Sequence, residues 1–167
     1  VIPVLGLQGV GKSTLCRKFI ELENAAHINL GEFLRDYVCI HPPSKLEPGE
    51  VRTFLYDTDA GVACARAFIE HVQNQPNKIV FVDTGGYLVN LGSGYYHSNF
   101  YLWDLLAVPL AIAVLAAPSN IKARRQNDKS KKRTTTLETV EQIQRHQDIL
   151  LSAVATAAAR HSSAVAY

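Results

Sequence analysis

The sequence predicts an α/β fold of three layers, with helices on both faces of a parallel sheet, and three observations predict it. The chain opens on an apolar run, Val1-Ile2-Pro3-Val4-Leu5, passes through Gly6-Leu7-Gln8-Gly9-Val10-Gly11-Lys12-Ser13 and continues into the helix-forming Thr14-Leu15-Cys16-Arg17-Lys18-Phe19-Ile20. Further apolar runs suited to strands recur at 25–30, 78–83, 110–116 and 162–167, with helical segments between them. That alternation is the pattern of a parallel sheet with right-handed crossovers. The run at 78–83 is four hydrophobic residues ending in Asp83, the form of a buried strand that delivers a carboxylate at its C-terminal end.

Gly6 to Ser13 reads G-x-x-x-x-G-K-[ST], the phosphate-binding P-loop, and it has the strand before and the helix after that the motif requires. The glycines let successive N–H groups turn inward as an anion nest, and the helix starting near Lys12 adds its positive dipole end. Gly6, Gln8, Gly9, Val10, Gly11, Lys12, Ser13 and Thr14 are therefore the expected nucleotide cradle. Lys12 is expected on the terminal phosphates and the Ser13 hydroxyl on Mg²⁺. Asp83 is expected to hold the same ion through water, as a Walker B carboxylate does. The stretch thus predicts ATP with Mg²⁺ as ligands, and the fold class becomes a P-loop NTPase: three-layer αβα with a five-stranded parallel sheet.

Composition narrows the classes. The chain has 167 residues, enough for one domain (1–167) with a real core. It is 47% hydrophobic and 19% charged, with a net charge of +2, which does not by itself imply a polyanionic partner. The longest apolar run, Leu105 to Ala117, is interrupted by Pro109 and too short to span a bilayer. With the P-loop so near the start, the expectation is no targeting segment, no membrane and the cytoplasm. Cys16, Cys39 and Cys64 show no metal-ligand spacing and read as small buried apolar residues, with a Cys39–Cys64 disulfide left open.

Taken in order, the first helix is expected from Lys12 to about Leu22, stopped at Asn24, and the second strand over Ala25–Leu30, punctuated by Gly31. A short helix follows over Glu32–Val38. Pro42, Pro43, Pro48 and Gly49 bracket a loop. Phe54, Leu55, Val62, Ala65, Phe68, Ile69 and Val72 keep helical spacing up to Gln73, with Asp57 or Thr58 as cap. After Asp83, Thr84 to Phe100 holds four glycines with Tyr87, Tyr95, Tyr96, His97 and Phe100. It reads either as a surface loop or as an acceptor loop whose aromatics stack on a base, with His97 a candidate general base. A short helix is expected over Leu102–Leu106. From Ile121 to Arg133 the chain carries Lys122, Arg124, Arg125, Lys129, Lys131, Lys132 and Arg133, 7 of its 17 Lys and Arg. That segment reads as a solvated helix face, a nucleic-acid contact or a basic lid over transferring phosphates. Thr136 or Thr139 caps the last helix, with Glu138 and Glu141 in its first turn, and the helix runs to about Arg160.

On these residues the chain resembles the nucleoside monophosphate kinases, adenylate kinase in particular. The P-loop has their form. Ile28-Asn29-Leu30-Gly31-Glu32-Phe33-Leu34-Arg35 is similar to their acceptor motif, and Asp128-Lys129 followed by Glu141-Gln142-Ile143-Gln144-Arg145-His146-Gln147 is similar to the short-lid archaeal type. The resemblance implies an acceptor segment at about 30–75, a lid at about 118–133, and AMP as the acceptor. It implies substrate contacts at Gly31, Arg35, Thr84 and Gly85. It also implies catalytic roles for Lys12 and, on the moving phosphoryl group, for Arg124, Arg125 and Arg133. It brings a homo-oligomer into the expectations and disfavours nucleic acid as partner.

The chain also departs from the family. Where bacterial types carry Asp-Gly-Phe-Pro-Arg it has Asp83-Thr84-Gly85-Gly86-Tyr87, without the arginine, and Asn127 stands where the archaeal pattern has one. Lysine and arginine are not equivalent toward phosphate. The rival readings are an adenylate-kinase-like NTPase acting in assembly or RNA processing, a kinase of another small metabolite, and a nucleotide-sensing module. No Asn-Lys-x-Asp guanine motif is present.

Overall fold

The computed structural model describes residues 1–21, 24–40, 59–85, 87–89, 96–98, 103, 106–128 and 138–167. In chain order these form β1 (Ile2–Leu5), α1 (Lys12–Ile20), β2 (Ala25–Asn29), α2 (Leu30–Ile40), α3 (Asp59–Gln73), β3 (Ile79–Thr84), β4 (Tyr87–Val89), β5 (Tyr96–Ser98), β6 (Leu110–Ala113), α4 (Pro118–Asn127), α5 (Val140–His161) and β7 (Ala164–Ala166).

The main sheet has five strands in the order β2-β3-β1-β6-β7, and every pairing in it is parallel. The expected fold class is what the chain adopts. Because side chains alternate across a strand, the sheet has two different faces. Val4 and Phe81 point to the α1 side, where they pack with Cys16, and the Phe19 ring stacks on Phe81 with centroids 4.6 Å apart. Leu5, Val80 and Val82 point the other way, into the larger core with Leu34, Phe68, Ile121, Leu150 and Val154 from the remaining helices.

The register β2 to β3 sets His27 opposite Phe81 and Asn29 opposite Asp83. All four residues therefore belong to the α1 side of the sheet, with Asn29 and Asp83 at the C-terminal ends of their strands. Ligands of open α/β sheets bind at those ends, at the point where strand order reverses. Here that point is between β1 and β3, which leave the middle of the sheet toward opposite edges.

Several local expectations change. Gly31 does not end β2; it lies in the first turn of α2, which begins one residue earlier, at Leu30. α1 ends at Ile20 with Glu21 as its C-cap, short of the expected Leu22, and Asn24 stands at the entrance to β2 with φ of 60°, a conformation asparagine tolerates. Thr139, not Thr136, is the helix cap: its hydroxyl accepts from Gln142 N while the Gln142 side chain accepts from Thr139 N, a capping box. Glu138 is consequently outside the helix and buried, not in its first turn. Cys39 is exposed near the end of α2, and all three cysteines are free thiols, so no Cys39–Cys64 bond is made. Part of the Thr84–Phe100 stretch is a two-stranded antiparallel ribbon, β4 with β5, in which Leu88 faces His97. The proline-bracketed loop, the Asp57 or Thr58 cap and most of the Leu102–Leu106 helix lie outside the described residues.

Candidate active site

β1 delivers the P-loop and α1 leaves it. The loop is shaped by positions that only glycine fills without strain. A Cβ at Gly6 would come within 2.7 Å of the Val114 carbonyl oxygen, and Gly9 has φ of 90°, with the Arg125 side chain 3.2 Å from where its Cβ would be. Gly11, also left-handed, precedes α1, and Thr14 N and Leu15 N both bond to its carbonyl. Lys12 and Ser13 thus occupy the first turn, where the amide dipoles are aligned. The Lys12 ammonium donates to the carbonyls of Gly6 (2.9 Å) and Leu7 (3.1 Å) and stands 3.9 Å from Asp83 Oδ1.

Asp83 is the junction of the site. It is only 4% exposed, and its Oδ2 accepts from Ser13 Oγ at 2.6 Å and from Asn29 Nδ2 at 3.3 Å. The other end of the Asn29 amide caps α2: Oδ1 accepts from Glu32 N at 3.0 Å. One carboxylate therefore ties the P-loop to the helix that carries Gly31 and Arg35. Arg35 is exposed, and a Cβ at Gly31 would stand 3.8 Å from its Nη1. Thr84 closes β3, opposite Leu5, and Gly85 follows it. Val10 is buried and Thr14 exposed.

The arginines of α4 are placed differently from the expectation. Arg124 Nη1 donates to the carbonyls of Gly9 (3.3 Å) and Val10 (2.9 Å). Arg125 Nε donates to the Gln8 carbonyl at 2.7 Å, and its Nη1 donates to Glu138 Oε2 at 2.6 Å. Arg125 is 3% exposed and Glu138 similarly buried, with His146 Nδ1 3.6 Å from the same carboxylate oxygen. The loop's outward carbonyls are capped by α4, and α4 is anchored in turn by Glu138, just ahead of the Thr139 cap of α5. The same motif supplies Gln147, whose amide brackets Ala116: Nε2 donates to its carbonyl (3.0 Å) and Oε1 accepts from its N–H (3.3 Å). Arg133 and the aromatic tip of the Thr84–Phe100 stretch lie outside the described residues, as does the His97 side chain.

Asn29, Glu138 and His146 join the site although the sequence alone does not mark them as site residues. Asn29 had a signal, since Asn-x-x-Glu before an apolar helix is an N-cap pattern. His27 is a further group without one. Its Nε2 is buried, has no hydrogen-bond partner among the described residues, and stands 3.8 Å from Asp83 Oδ2. Leaving such an atom unpaired costs about 1–3 kcal/mol. Beside it, burial and the Asp83 charge push the Cys16 thiol up to about 12, against the pull of Lys12.

Comparison with known proteins fits this arrangement. A family model described as an AAA domain matches residues 5–144. An adenylate kinase of Pyrococcus abyssi is 31% identical, across 99% of this chain and 83% of its own length, and one of Thermococcus kodakarensis is 29% identical with the same coverage. Among solved structures, a shikimate kinase from Bacteroides thetaiotaomicron superposes with a TM-score of 0.55 over 98% of this chain at 19% identity, which is a likeness of fold. Given its P-loop, its Asp83 junction and these relatives, the chain belongs to the AAA-domain family of P-loop proteins and, within it, to the nucleoside monophosphate kinases.

Proposed function

We propose that the chain transfers the terminal phosphoryl group of ATP to a nucleoside monophosphate, AMP, giving two molecules of ADP. The observation that carries this reading is Asp83 Oδ2, which accepts from Ser13 on the donor side and from Asn29, the cap of the acceptor helix, on the other. A hydrolase needs only the first of these links. Ser13 and Asp83 offer hard oxygen donors 2.6 Å apart at a buried carboxylate, which fits Mg²⁺. When bound there, the ion would neutralise charge on the donor phosphates.

The protein's own part is positioning and electrostatics. Lys12 is assigned to the donor phosphates. Arg35 is assigned to the acceptor phosphate, with Gly31, Thr84 and Gly85 lining its approach. Arg124 is exposed at the lip of the loop and, with Arg133, is assigned to the transferring group. Arg125 is assigned to holding the loop rather than touching substrate, because its donors face Gln8 and Glu138. Since Arg124 and Arg125 turn toward the P-loop, the basic segment owes part of its charge to the site, which speaks against nucleic acid as its partner. No helix among the described residues is long and apolar enough to cross a membrane.

The test is a screen of nucleoside monophosphates with ATP and Mg²⁺. ADP appearing in twofold excess over the ATP consumed, only with AMP present, supports the reading. Inorganic phosphate without any acceptor requirement overturns it in favour of an ATPase. That second reading is favoured by one observation, the absence of an arginine in Asp83-Thr84-Gly85-Gly86. Turnover of a different phosphate acceptor would keep the kinase and replace AMP.

A further inference from the structure

We infer that Cys16, His27 and Asp83 form a binding site for a thiophilic divalent transition-metal ion of the zinc class, distinct in chemistry from the magnesium position that shares Asp83. One atom from each residue, the Cys16 sulfur, a His27 ring nitrogen and an Asp83 carboxylate oxygen, lies within 4.8 Å of the other two. Around a tetrahedral zinc ion with bonds of about 2.0–2.3 Å, ligand atoms stand roughly 3.3–3.8 Å apart. The observed His27–Asp83 separation of 3.8 Å is within about half an ångström of the roughly 3.3–3.5 Å that such an ion sets between a nitrogen and an oxygen ligand.

The three residues come from three elements: Cys16 from α1, His27 from the edge strand β2 and Asp83 from the end of β3. In sequence they are 11 and 56 positions apart, so no linear motif marks them. The fold brings them to one side of the sheet because His27 and Asn29 alternate in phase with Phe81 and Asp83, and α1 lies over that side.

One feature points to a ligand and a second suits it. The buried His27 Nε2 has no hydrogen-bond partner among the described residues, although buried polar atoms are otherwise nearly always satisfied. The Asp83 carboxylate is already oriented by Ser13 and Asn29, as the outer partners of a metal-ligating group are. A sulfur, a nitrogen and one oxygen suit zinc and its neighbours, whereas magnesium takes oxygen donors. Three protein ligands leave a fourth position open. On binding, the Cys16 S–H proton passes to solvent and the sulfur takes the metal in its place. Because Asp83 is shared, such an ion opposes magnesium–nucleotide binding; that consequence rests on the proposed role of Asp83, whereas the site does not.

The experiment is a Co²⁺ titration of the Cys39→Ser protein, which removes the exposed thiol, read by absorption spectroscopy. The expected result is a saturable sulfur-to-cobalt charge-transfer band, displaced by Zn²⁺. The band should vanish when Cys16→Ser is added, and affinity should fall by about tenfold or more with His27→Gln. A Cys39→Ser protein without the band, or a band unchanged by Cys16→Ser, overturns the site. Should Cys16→Ser fail to fold, His27→Gln decides alone: unchanged cobalt affinity overturns the inference. Phosphoryl transfer is measured in parallel. A cobalt band in a protein without kinase activity keeps the metal site and sinks the proposed function, and kinase activity without the band does the reverse. With both present, Zn²⁺ inhibition relieved by His27→Gln is expected.

Discussion

On its inner side the P-loop presents Lys12 and Ser13, with Asp83 beneath them. On its outer side the carbonyls of Gln8, Gly9 and Val10 are held by Arg125 and Arg124 from α4. The inner side is assembled from a local motif and one strand end. The outer side depends on residues more than a hundred positions away, of which Arg125 is itself anchored by Glu138. The difference separates two jobs. The inner groups are the ones proposed to meet phosphate, and their loss is expected to leave the chain folded. The outer groups keep the loop in shape, and losing them exposes the core to an unpaired charge.

Lys12→Ala is expected to break the inner side alone. Transfer should fall by about 10²–10³-fold or more, the scale of losing a preorganised charge partner at the reacting group, while the chain still folds and its urea unfolding midpoint falls less than that of Glu138→Ala. Activity near wild type in a coupled assay would remove Lys12 from the chemistry.

Glu138→Ala is expected to do the opposite. It leaves the Arg125 guanidinium, 3% exposed, without its carboxylate, and stripping one partner from a buried pair costs about 3–5 kcal/mol. Urea denaturation measures it. The double variant Arg125→Met/Glu138→Leu sharpens the comparison, since replacing both charges by apolar groups is often neutral or better. Its stability should recover, yet the Gln8 carbonyl still lacks its donor, so KM for ATP should stay raised. A double variant with wild-type KM would show that the clamp does not shape the loop.

The two sides also differ in how far the sequence disclosed them. Gly6 to Ser13 is legible because its chemistry is contiguous, and Asp83 because a buried strand ending in a carboxylate is a local pattern. The sheet followed from the alternation of apolar runs. Arg124 and Arg125 were visible as charge, but their partners are backbone carbonyls, which no residue type announces. Glu138 looked like a first-turn acid because two threonines competed as cap, and only the Gln142 capping box settles which one serves. His27 and Cys16 meet through strand register and helix packing. Gly31 reads as a stop in the sequence because glycine usually punctuates; here Asn29 caps the helix, so α2 starts before the glycine and keeps it in its first turn.

Asn29→Ala tests the tie between the donor and acceptor sides. Loss of the cap should cost about 1 kcal/mol, and loss of the bond to Asp83 should raise KM for the monophosphate more than KM for ATP. Asn29→Asp separates the two effects: it can still cap α2, but it sets a second carboxylate beside Asp83. If Asn29→Asp keeps both stability and the monophosphate KM, the contact with Asp83 has no part in acceptor binding.

The smallest effect expected is at Glu141 in the first turn of α5. Hydrogen bonds from its own backbone N–H and from the Thr139 hydroxyl, in that order, hold its carboxyl below the ordinary value of 4.5. Its folded pKa is therefore depressed. The stability it contributes is present above the ordinary value and is lost as pH falls through the folded one. The side chain is fully exposed, so solvent screens the effect. Melting curves between about pH 6 and pH 3 should show a slightly shallower loss of stability for Glu141→Gln than for the wild type. High salt should leave most of that difference in place, because the hydrogen bonds outweigh the attraction of Lys122, the weakest contributor. A difference that vanished in salt would put Lys122 first and make the capping turn a matter of charge alone.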